Sequence, residues 1–245
     1  MTFKERYYNK DTLNIFVDAS IKKWVNEVVG CPGALAIHNG KIIDSHIDTL
    51  RYSTNNNSEI TAIYYGLLLA IKYRDKFKYL NLFSDSKICV FGLTRWIFNW
   101  IDTIKADDDI NKYTEDNTLN CLYGSGSSPV ANQSEIMLVI QTILAYNLRI
   151  NIYHQRGHIN INNESMLKKA RACFARNNNI DKDELDLDII ADISKYNNLI
   201  DGYTRNFLGQ RFNDNKFLYP AMHFLYNKDT DMEQYSKLLN ISSLK

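Results

Sequence analysis

The first fifty residues carry the feature that most restricts the fold, which is a run of three strand-like segments. Residues 13–19 read as a buried strand, because five apolar residues occur in this short segment. Residues 33–38 and 41–48 flank Asn39-Gly40, and an Asn-Gly pair between two apolar segments is a strong signal for a β-hairpin. The chain should therefore fold around a sheet that contains an antiparallel hairpin.

The rest of the chain alternates helix-like and strand-like segments. Apolar side chains recur at helical spacing from residue 58 to 74, and short strands are predicted at 79–84 and 149–155. Further helices are predicted at 86–93, 95–103, 133–147, 166–176 and 189–209, with an irregular insert at 104–128 and a polar linker at 177–188. This order predicts an α/β fold with a mixed five-stranded sheet flanked by helices.

Composition narrows the possible partners and the location. The 245 residues carry 29 basic and 28 acidic side chains, so a broad basic field for nucleic acid is absent. Any polynucleotide contact must use local patches and uncharged donors. The four cysteines form no CxxC pair, which disfavours a zinc site and favours reduced thiols. With no secretory signal recognised and no apolar run long enough to span a bilayer, we expect a cytoplasmic protein, monomeric and without a membrane partner.

Four carboxylates lie where strands end or in helices. Asp18 is predicted to close the first strand, Glu59 to open the first long helix and Asp85 to end the fourth strand, while Asp201 lies in the last helix. Several acids at one edge of a sheet repel one another unless a divalent cation lies between them, and Mg²⁺ takes oxygen ligands. Two such ions about 4 Å apart can hold the attacking and leaving oxygens of a phosphodiester displacement. At least one of these acids should have a raised pKa without metal.

Several motifs occur in a fixed order along roughly residues 12–209. Thr54-Asn55-Asn56-Asn57-Ser58-Glu59 reads T-N-N-x-x-E, and Ser84-Asp85-Ser86 precedes Gly92-Leu93-Thr94-Arg95-Trp96-Ile97-Phe98-Asn99-Trp100. Asp18-Ala19-Ser20, Pro32-Gly33, Pro129-Val130-Ala131-Asn132 and Gly157-His158 accompany them. In these segments the sequence resembles the type I RNase H family. The resemblance implies an RNase H-like fold over 1–210 and an endonuclease that hydrolyses the RNA strand of RNA–DNA hybrids, leaving 5′-phosphate and 3′-hydroxyl ends.

The resemblance also implies roles for individual residues. Two Mg²⁺ ions, for which Mn²⁺ can substitute, would be held by Asp18, Glu59, Asp85 and Asp201, with Asp18 bridging both. His158 would move protons or assist product release. Substrate contacts would come from Asn55 and Asn56 at the RNA 2′-hydroxyls, Thr54 and Asn99 at a DNA phosphate, and Trp96 and Trp100 beside them.

The fourth metal ligand depends on a shorter match. The family places N-x-x-x-D at the start of the last helix, and Asn197-Asn198-Leu199-Ile200-Asp201 has this pattern. Asp201 is then the ligand, residues 159–190 are an insertion before the last helix, and 211–245 form a C-terminal extension of unknown role. Glu164 or Asp192 in place of Asp201 remains an alternative.

Two departures and two alternative functions remain open. Ala19 replaces a glycine, which would make a turn after Asp18 less free, and the segment from Ser20 to Gly33 is expected to be an unusually long loop. The chain could instead be a non-catalytic RNase H-like module that binds nucleic acid or protein. It could also be a nuclease of this fold with another substrate, such as a DNA junction.

Overall fold

The five strands form one mixed sheet, as the sequence predicts. The computed structural model describes residues 1–24, 27–51, 53–100, 130–211 and 230–239. The strands are β1 (Thr12–Trp24), β2 (Glu27–His38), β3 (Lys41–Ile47), β4 (Tyr79–Ser84) and β5 (Asn151–His154), in the spatial order β3-β2-β1-β4-β5. The β1–β2 and β2–β3 pairs are antiparallel, whereas β1–β4 and β4–β5 are parallel. The predicted fold class is confirmed.

Helices cover both faces of this sheet. They are α1 (Phe3–Tyr7), α2 (Asn55–Tyr73), α3 (Lys87–Phe91), α4 (Gln133–Ala145), α5 (Glu164–Asn178), α6 (Leu187–Arg211) and α7 (Met232–Leu238). A π turn, Gly92–Trp96, follows α3 directly, and a 3₁₀ turn, Lys182–Glu184, precedes α6. Within the described ranges no helix is both long enough and apolar enough to cross a membrane.

Side chains along β1 point alternately to the two faces of the sheet, and a hydrophobic core lies on each face. Leu13, Ile15 and Val17 point to the face covered by α2, α4 and α7, and Phe16 points to the face covered by α1, α5 and α6. This alternation follows from the two-residue period of a strand. All four side chains are fully buried, so both faces of the central strand are closed to solvent.

The segment after Asp18 differs from the sequence-based expectation. The predicted loop from Ser20 to Gly33 is wrong, because the β1–β2 ladder continues through Ser20↔Cys31 to Trp24↔Glu27. Asp18 therefore lies inside β1 rather than at its end, and no turn depends on Ala19. Strand formation depends strongly on pairing with a neighbour, and here the partner strand extends β1 beyond its apolar segment.

The expected pair of helices at 86–93 and 95–103 is also wrong. The chain runs from α3 through the π turn into helical residues 97–100 without a break. Gly92 does not end the helix because its backbone is right-handed helical, with φ −54° and ψ −50°. The irregular insert expected at 104–128, and Pro129, lie outside the described residues.

The predicted insertion at 159–190 contains a packed helix. Leu167, Ala170 and Phe174 of α5 are buried against the sheet on the α6 side. At the end of α5 the Asn178 side chain accepts a hydrogen bond from the His154 backbone N–H (2.8 Å) and donates one to the His154 carbonyl (2.7 Å). Asn178 thus satisfies backbone groups on the outer side of β5, which would otherwise form an open sheet edge.

The described part of the C-terminal extension packs in the core. Tyr235 of α7 is fully buried, and Leu238 and Leu239 are nearly so, in the hydrophobic cluster that also contains α2 and α4. The Leu238 carbonyl accepts a hydrogen bond from the Ile150 N–H just before β5 (3.1 Å). Residues 230–239 therefore share a core with the predicted 1–210 domain.

Candidate active site

Strand register brings two of the predicted carboxylates together. In the parallel β1–β4 ladder Val17 lies opposite Ser84, and the next residue on each chain is an aspartate, Asp18 and Asp85. Glu59, in the second turn of α2, approaches the same end of the sheet. One carboxylate oxygen from each of Asp18, Glu59 and Asp85 lies within 4.8 Å of the other two. The structure thus brings three of the four predicted acids into one cluster.

Burial and mutual repulsion raise the pKa values of this cluster. Asp18 and Glu59 are only 5% and 6% exposed. Burial, reinforced by the charge of Asp85, raises the pKa of Asp18 to about 8. Burial and then the charge of Asp18 raise the pKa of Glu59 well above its ordinary value, and burial is also the main cause of the raised pKa of Asp85. The expected raised pKa without metal is confirmed.

The donor set fits a hard divalent cation. Glu59 Oε2 is buried, yet it accepts no hydrogen bond from any residue in the ranges that the structure describes. A buried carboxylate oxygen without a partner is costly, and a cation would satisfy it. The cluster is made of carboxylate oxygens, the ligands that Mg²⁺ and Mn²⁺ prefer. Asp18, Glu59 and Asp85 could therefore hold such an ion.

Asp201 approaches this cluster from α6. It is 7% exposed, and its charge contributes to the raised pKa values of Asp18, Glu59 and Asp85. The helix can come close because Gly33, opposite Asp18 in the ladder, has no side chain: a Cβ there would lie 2.7 Å from Thr204 Cγ2. Asp201 lies outside the group of three acids whose oxygens are within 4.8 Å of one another.

Asp201 already has two basic neighbours. The Arg205 guanidinium, one helical turn further along α6, forms an ion pair with Asp201 Oδ2. His158 Nδ1 lies 3.6 Å from the same oxygen, and the His158 side chain is 77% exposed. Arg205 was not among the residues predicted from the sequence, although the i, i+4 spacing of Asp201 and Arg205 on a predicted helix was a usable signal.

The two alternatives to Asp201 lie in other surroundings. Glu164 is an exposed residue in the first turn of α5, where it pairs with Lys168 at 2.6 Å. Asp192 accepts a hydrogen bond from the Tyr7 hydroxyl at 3.1 Å, near the start of β1 and α1. Neither belongs to the acidic cluster or raises the pKa of its members.

A buried chain of amides orients Asp85. Asn197 Nδ2 donates to Asp85 Oδ2 at 3.3 Å, and Gln155 Nε2 donates to Asn197 Oδ1 at 2.6 Å. Asn197 and Gln155 are 1% and 2% exposed. Asn197 was predicted only as the first residue of the N-x-x-x-D motif, and no role was predicted for Gln155. Nothing local to Gln155 indicates its role, because its partner is 42 residues away.

The glycine and histidine of Gly157-His158 have distinct structural roles. A Cβ on Gly157 would lie 2.1 Å from Asp85 Oδ2, so only glycine leaves room for this carboxylate. His158 has φ 54°, a left-handed conformation that is uncommon for a residue with a side chain and often occurs at functional sites. His154, the last residue of β5, is 6% exposed, and burial lowers its pKa to about 4.

The predicted substrate-binding residues lie at the start of α2 and in the helical segment that follows α3. Thr54 is the N-cap of α2, and its hydroxyl accepts a hydrogen bond from the Asn57 N–H (3.1 Å). Asn55 and Asn99 are exposed. Asn56, Trp96 and Trp100 line one pocket of about 240 Å³, together with residues of α3 and Asn132 before α4. Asn56, which lines this pocket, lies in the first turn of α2, and Glu59 lies in the second turn of the same helix.

Comparisons with known proteins give one family. The RNase H family model matches residues 10–174. A search of curated proteins gave no match.

Three solved structures show similar folds at low identity. The foamy viral protease–reverse transcriptase in complex with RNA/DNA hybrid is 12% identical with a TM-score of 0.41, and the match covers 59% of this chain and 17% of that one. RNase H1 from the halophilic archaeon Halobacterium salinarum NRC-1 is 15% identical with a TM-score of 0.37, covering 59% and 86%. The RNase H domain of PFV is 14% identical with a TM-score of 0.47, covering 68% and 92%.

Proposed function

Because the chain belongs to the RNase H family, we propose that it is a type I ribonuclease H, an endonuclease that hydrolyses the RNA strand of RNA–DNA hybrids. The observation that carries the proposal is the cluster of Asp18, Glu59 and Asp85, with carboxylate oxygens within 4.8 Å and a buried Glu59 oxygen that has no partner among the described residues. At neutral pH such a cluster requires either protons or cations, and hydrolysis of a phosphodiester by the two-metal mechanism would supply cations.

The chain's own residues would divide the work at the scissile phosphate. Asp18, whose pKa is raised in part by the charges of Asp85 and Asp201, would contribute to the binding of both ions. Glu59 and Asp85 would hold the ion on the side of the leaving 3′ oxygen, and Asp201 the ion on the side of the attacking water. Two divalent cations, when bound, would activate that water and neutralise the charge that develops on the leaving oxygen.

His158 is placed to move a proton. Its exposed ring lies 3.6 Å from Asp201, so it can exchange protons with solvent while staying next to the side of the site proposed for the attacking water. Arg205, which pairs with the same oxygen of Asp201, would keep this carboxylate in place before the ions bind. These roles yield products with 5′-phosphate and 3′-hydroxyl ends.

Recognition of the hybrid would use uncharged donors on α2 and the helix that follows α3. Asn55 and Asn56 would meet the 2′-hydroxyls of the RNA strand, the groups that distinguish it from DNA. Thr54 and Asn99 would bind a phosphate of the DNA strand, with Trp96 and Trp100 beside them. This mode of binding agrees with a net charge of only +1.

The test is a substrate panel with a strand-specific label. The protein is incubated in Mg²⁺ with an RNA–DNA hybrid, single-stranded RNA, double-stranded RNA, duplex DNA and a DNA junction. We expect cleavage of the RNA strand of the hybrid only, with Mn²⁺ able to replace Mg²⁺ and Ca²⁺ inactive. Binding without cleavage would favour the non-catalytic module. Cleavage of the junction would favour a nuclease of this fold with another substrate. Products with 2′,3′-cyclic phosphate ends would indicate a metal-independent attack by the RNA 2′-hydroxyl.

A further inference from the structure

The π turn after α3 changes the hydrogen bonding of the helix that carries Trp96 and Trp100. The Ile97 N–H bonds to the carbonyl of Gly92, five residues before it, and not to that of Leu93, four residues before it. The Leu93 carbonyl therefore lacks the donor that an α-helix would give it. Leu93 is fully buried, so water cannot easily replace that donor.

A side chain from the C-terminal helix supplies the missing donor. The Tyr235 hydroxyl of α7 donates a hydrogen bond to the Leu93 carbonyl at 3.0 Å, across 142 residues of sequence. Tyr235 is itself fully buried, and its ring packs against Phe98 with the ring centroids 6.2 Å apart. Tyr235 thus joins α7 to the π turn and to the helical residues that follow it.

The π turn decides which way the following residues face. It places one extra residue in a turn, so the helix after it is rotated by about 100° relative to an uninterrupted α-helix. In the observed register Trp96 and Trp100 line the pocket that Asn56 borders. Reversion to α-helical bonding would rotate these side chains away from Asn56.

We propose that Tyr235 is a positioning residue for substrate binding, which holds the π turn and so keeps the Trp96–Trp100 face in the register that binds the DNA strand of the hybrid. The inference rests on the proposed function for its ligand. It gives α7 a role in substrate binding although α7 does not line the pocket.

Tyr235→Phe removes the hydroxyl and conserves the ring, so the core keeps its volume. Tyr7→Phe is the matched control, because Tyr7 is 4% exposed and also loses one buried hydroxyl bond, to Asp192 near the start of β1. Hybrid affinity is measured by anisotropy in Ca²⁺, and KM and kcat in Mg²⁺. For Tyr235→Phe we expect Kd and KM to rise about tenfold, with kcat nearly unchanged. Tyr7→Phe should bind as the wild type does.

Tryptophan fluorescence tests the position of the helix that carries Trp96 and Trp100 without any substrate. In a Trp24→Phe background the remaining tryptophans are Trp96 and Trp100. Tyr235→Phe should shift their emission, and Tyr7→Phe should not. Unchanged emission with unchanged Kd, or a loss of kcat at constant KM, would overturn the positioning role. If the wild type cleaves no hybrid, the proposed function fails, and the emission shift still decides whether Tyr235 sets the helix register.

Discussion

At the scale of single residues, Gly157 is required for the position of Asp85. A Cβ at Gly157 would lie 2.1 Å from Asp85 Oδ2, so Gly157→Ala must displace this carboxylate or its own loop. We expect metal affinity and cleavage to fall by about tenfold or more, as happens when groups that orient metal ligands are altered. Isothermal titration with Mn²⁺ and a hybrid cleavage assay measure the two effects.

Gly209→Ala is the control for this prediction. A Cβ at Gly209, in α6, would meet no atom within 4 Å. Because alanine is the better helix former, this variant should be more stable by about 0.5–1 kcal/mol, with unchanged metal affinity. If Gly157→Ala binds Mn²⁺ as tightly as Gly209→Ala does, the proposed coordination by Asp85 is wrong.

The raised pKa of Asp18 makes the stability of the metal-free protein depend on pH. Its pKa is about 8 in the folded state, against 3.8 ordinarily, so between these values the folded state binds a proton that the unfolded state has lost. The contribution of Asp18 to the free energy of unfolding therefore decreases as pH rises from about 4 to about 8. Glu59 and Asp85 act in the same direction, because their pKa values are also raised.

Urea unfolding in EDTA at several pH values tests this dependence. Asp18→Asn should weaken the dependence of the free energy of unfolding on pH. It should also stabilise the protein at pH 8, where the ionised acids of the wild type repel one another. Saturating Mg²⁺ should stabilise the wild type most at pH 8, since the ion binds the ionised folded state. If the wild type and Asp18→Asn show the same pH dependence of stability in EDTA, burial does not raise the pKa of Asp18.

The residues that the sequence could not assign are those whose partners are distant. The proximity of Asp18 and Asp85 was predictable because each follows a buried apolar segment, although β1 continues past Asp18 to Trp24. Gln155 reaches Asp85 only through Asn197, and Arg205 matters only because α6 packs near Asp18. These contacts depend on tertiary packing, and only the i, i+4 spacing of Asp201 and Arg205 is visible in the sequence.

At the scale of secondary-structure elements, α7 should be required for stability. Tyr235, Leu238 and Leu239 are buried in the core formed with α2 and α4. Tyr235→Ala should therefore lower the free energy of unfolding by about 3–5 kcal/mol, as for other large aromatic side chains. Removal of residues 230–245 should destabilise the protein at least as much. Both are measured by urea unfolding.

Lys237→Ala provides the control on the same helix. Lys237 is exposed and pairs with Glu233 one turn earlier, so its removal should change stability by no more than about 0.5 kcal/mol. If the truncated protein unfolds at the same urea concentration as the wild type, or if α7 unfolds in a separate transition, residues 230–239 do not share the main core.

The elements show where local sequence patterns suffice and where they fail. The Asn39-Gly40 hairpin and the long α2 follow directly from turn chemistry and apolar spacing. The extension of β1 to Trp24 does not, because the ladder with β2 maintains it beyond the apolar segment. The π turn also has no local signal, since its Leu93 carbonyl is satisfied by Tyr235.

At the scale of the whole molecule, the sheet and α2 and α6 bring distant acids to one end of the fold. Asp18, Glu59 and Asp85 come from β1, α2 and the end of β4, and Asp201 from a helix nearly two hundred residues after the start of β1. The motifs that resemble the RNase H family predict this convergence, although Asp18 lies inside β1 and not at its end. Our central claim is that these four acids form a cation-dependent site for RNA cleavage.

Cleavage of a hybrid by Asp18→Asn tests that claim most directly. The RNA strand is labelled, Mg²⁺ is saturating, and folding of the variant is checked by its unfolding transition. Asp192→Asn is the matched control, because Asp192 is also a partly buried acid with a raised pKa but bonds to Tyr7 outside the cluster. We predict full cleavage by the wild type and Asp192→Asn, and none detectable with folded Asp18→Asn. Retention of more than about a tenth of the activity by Asp18→Asn would contradict the two-metal site.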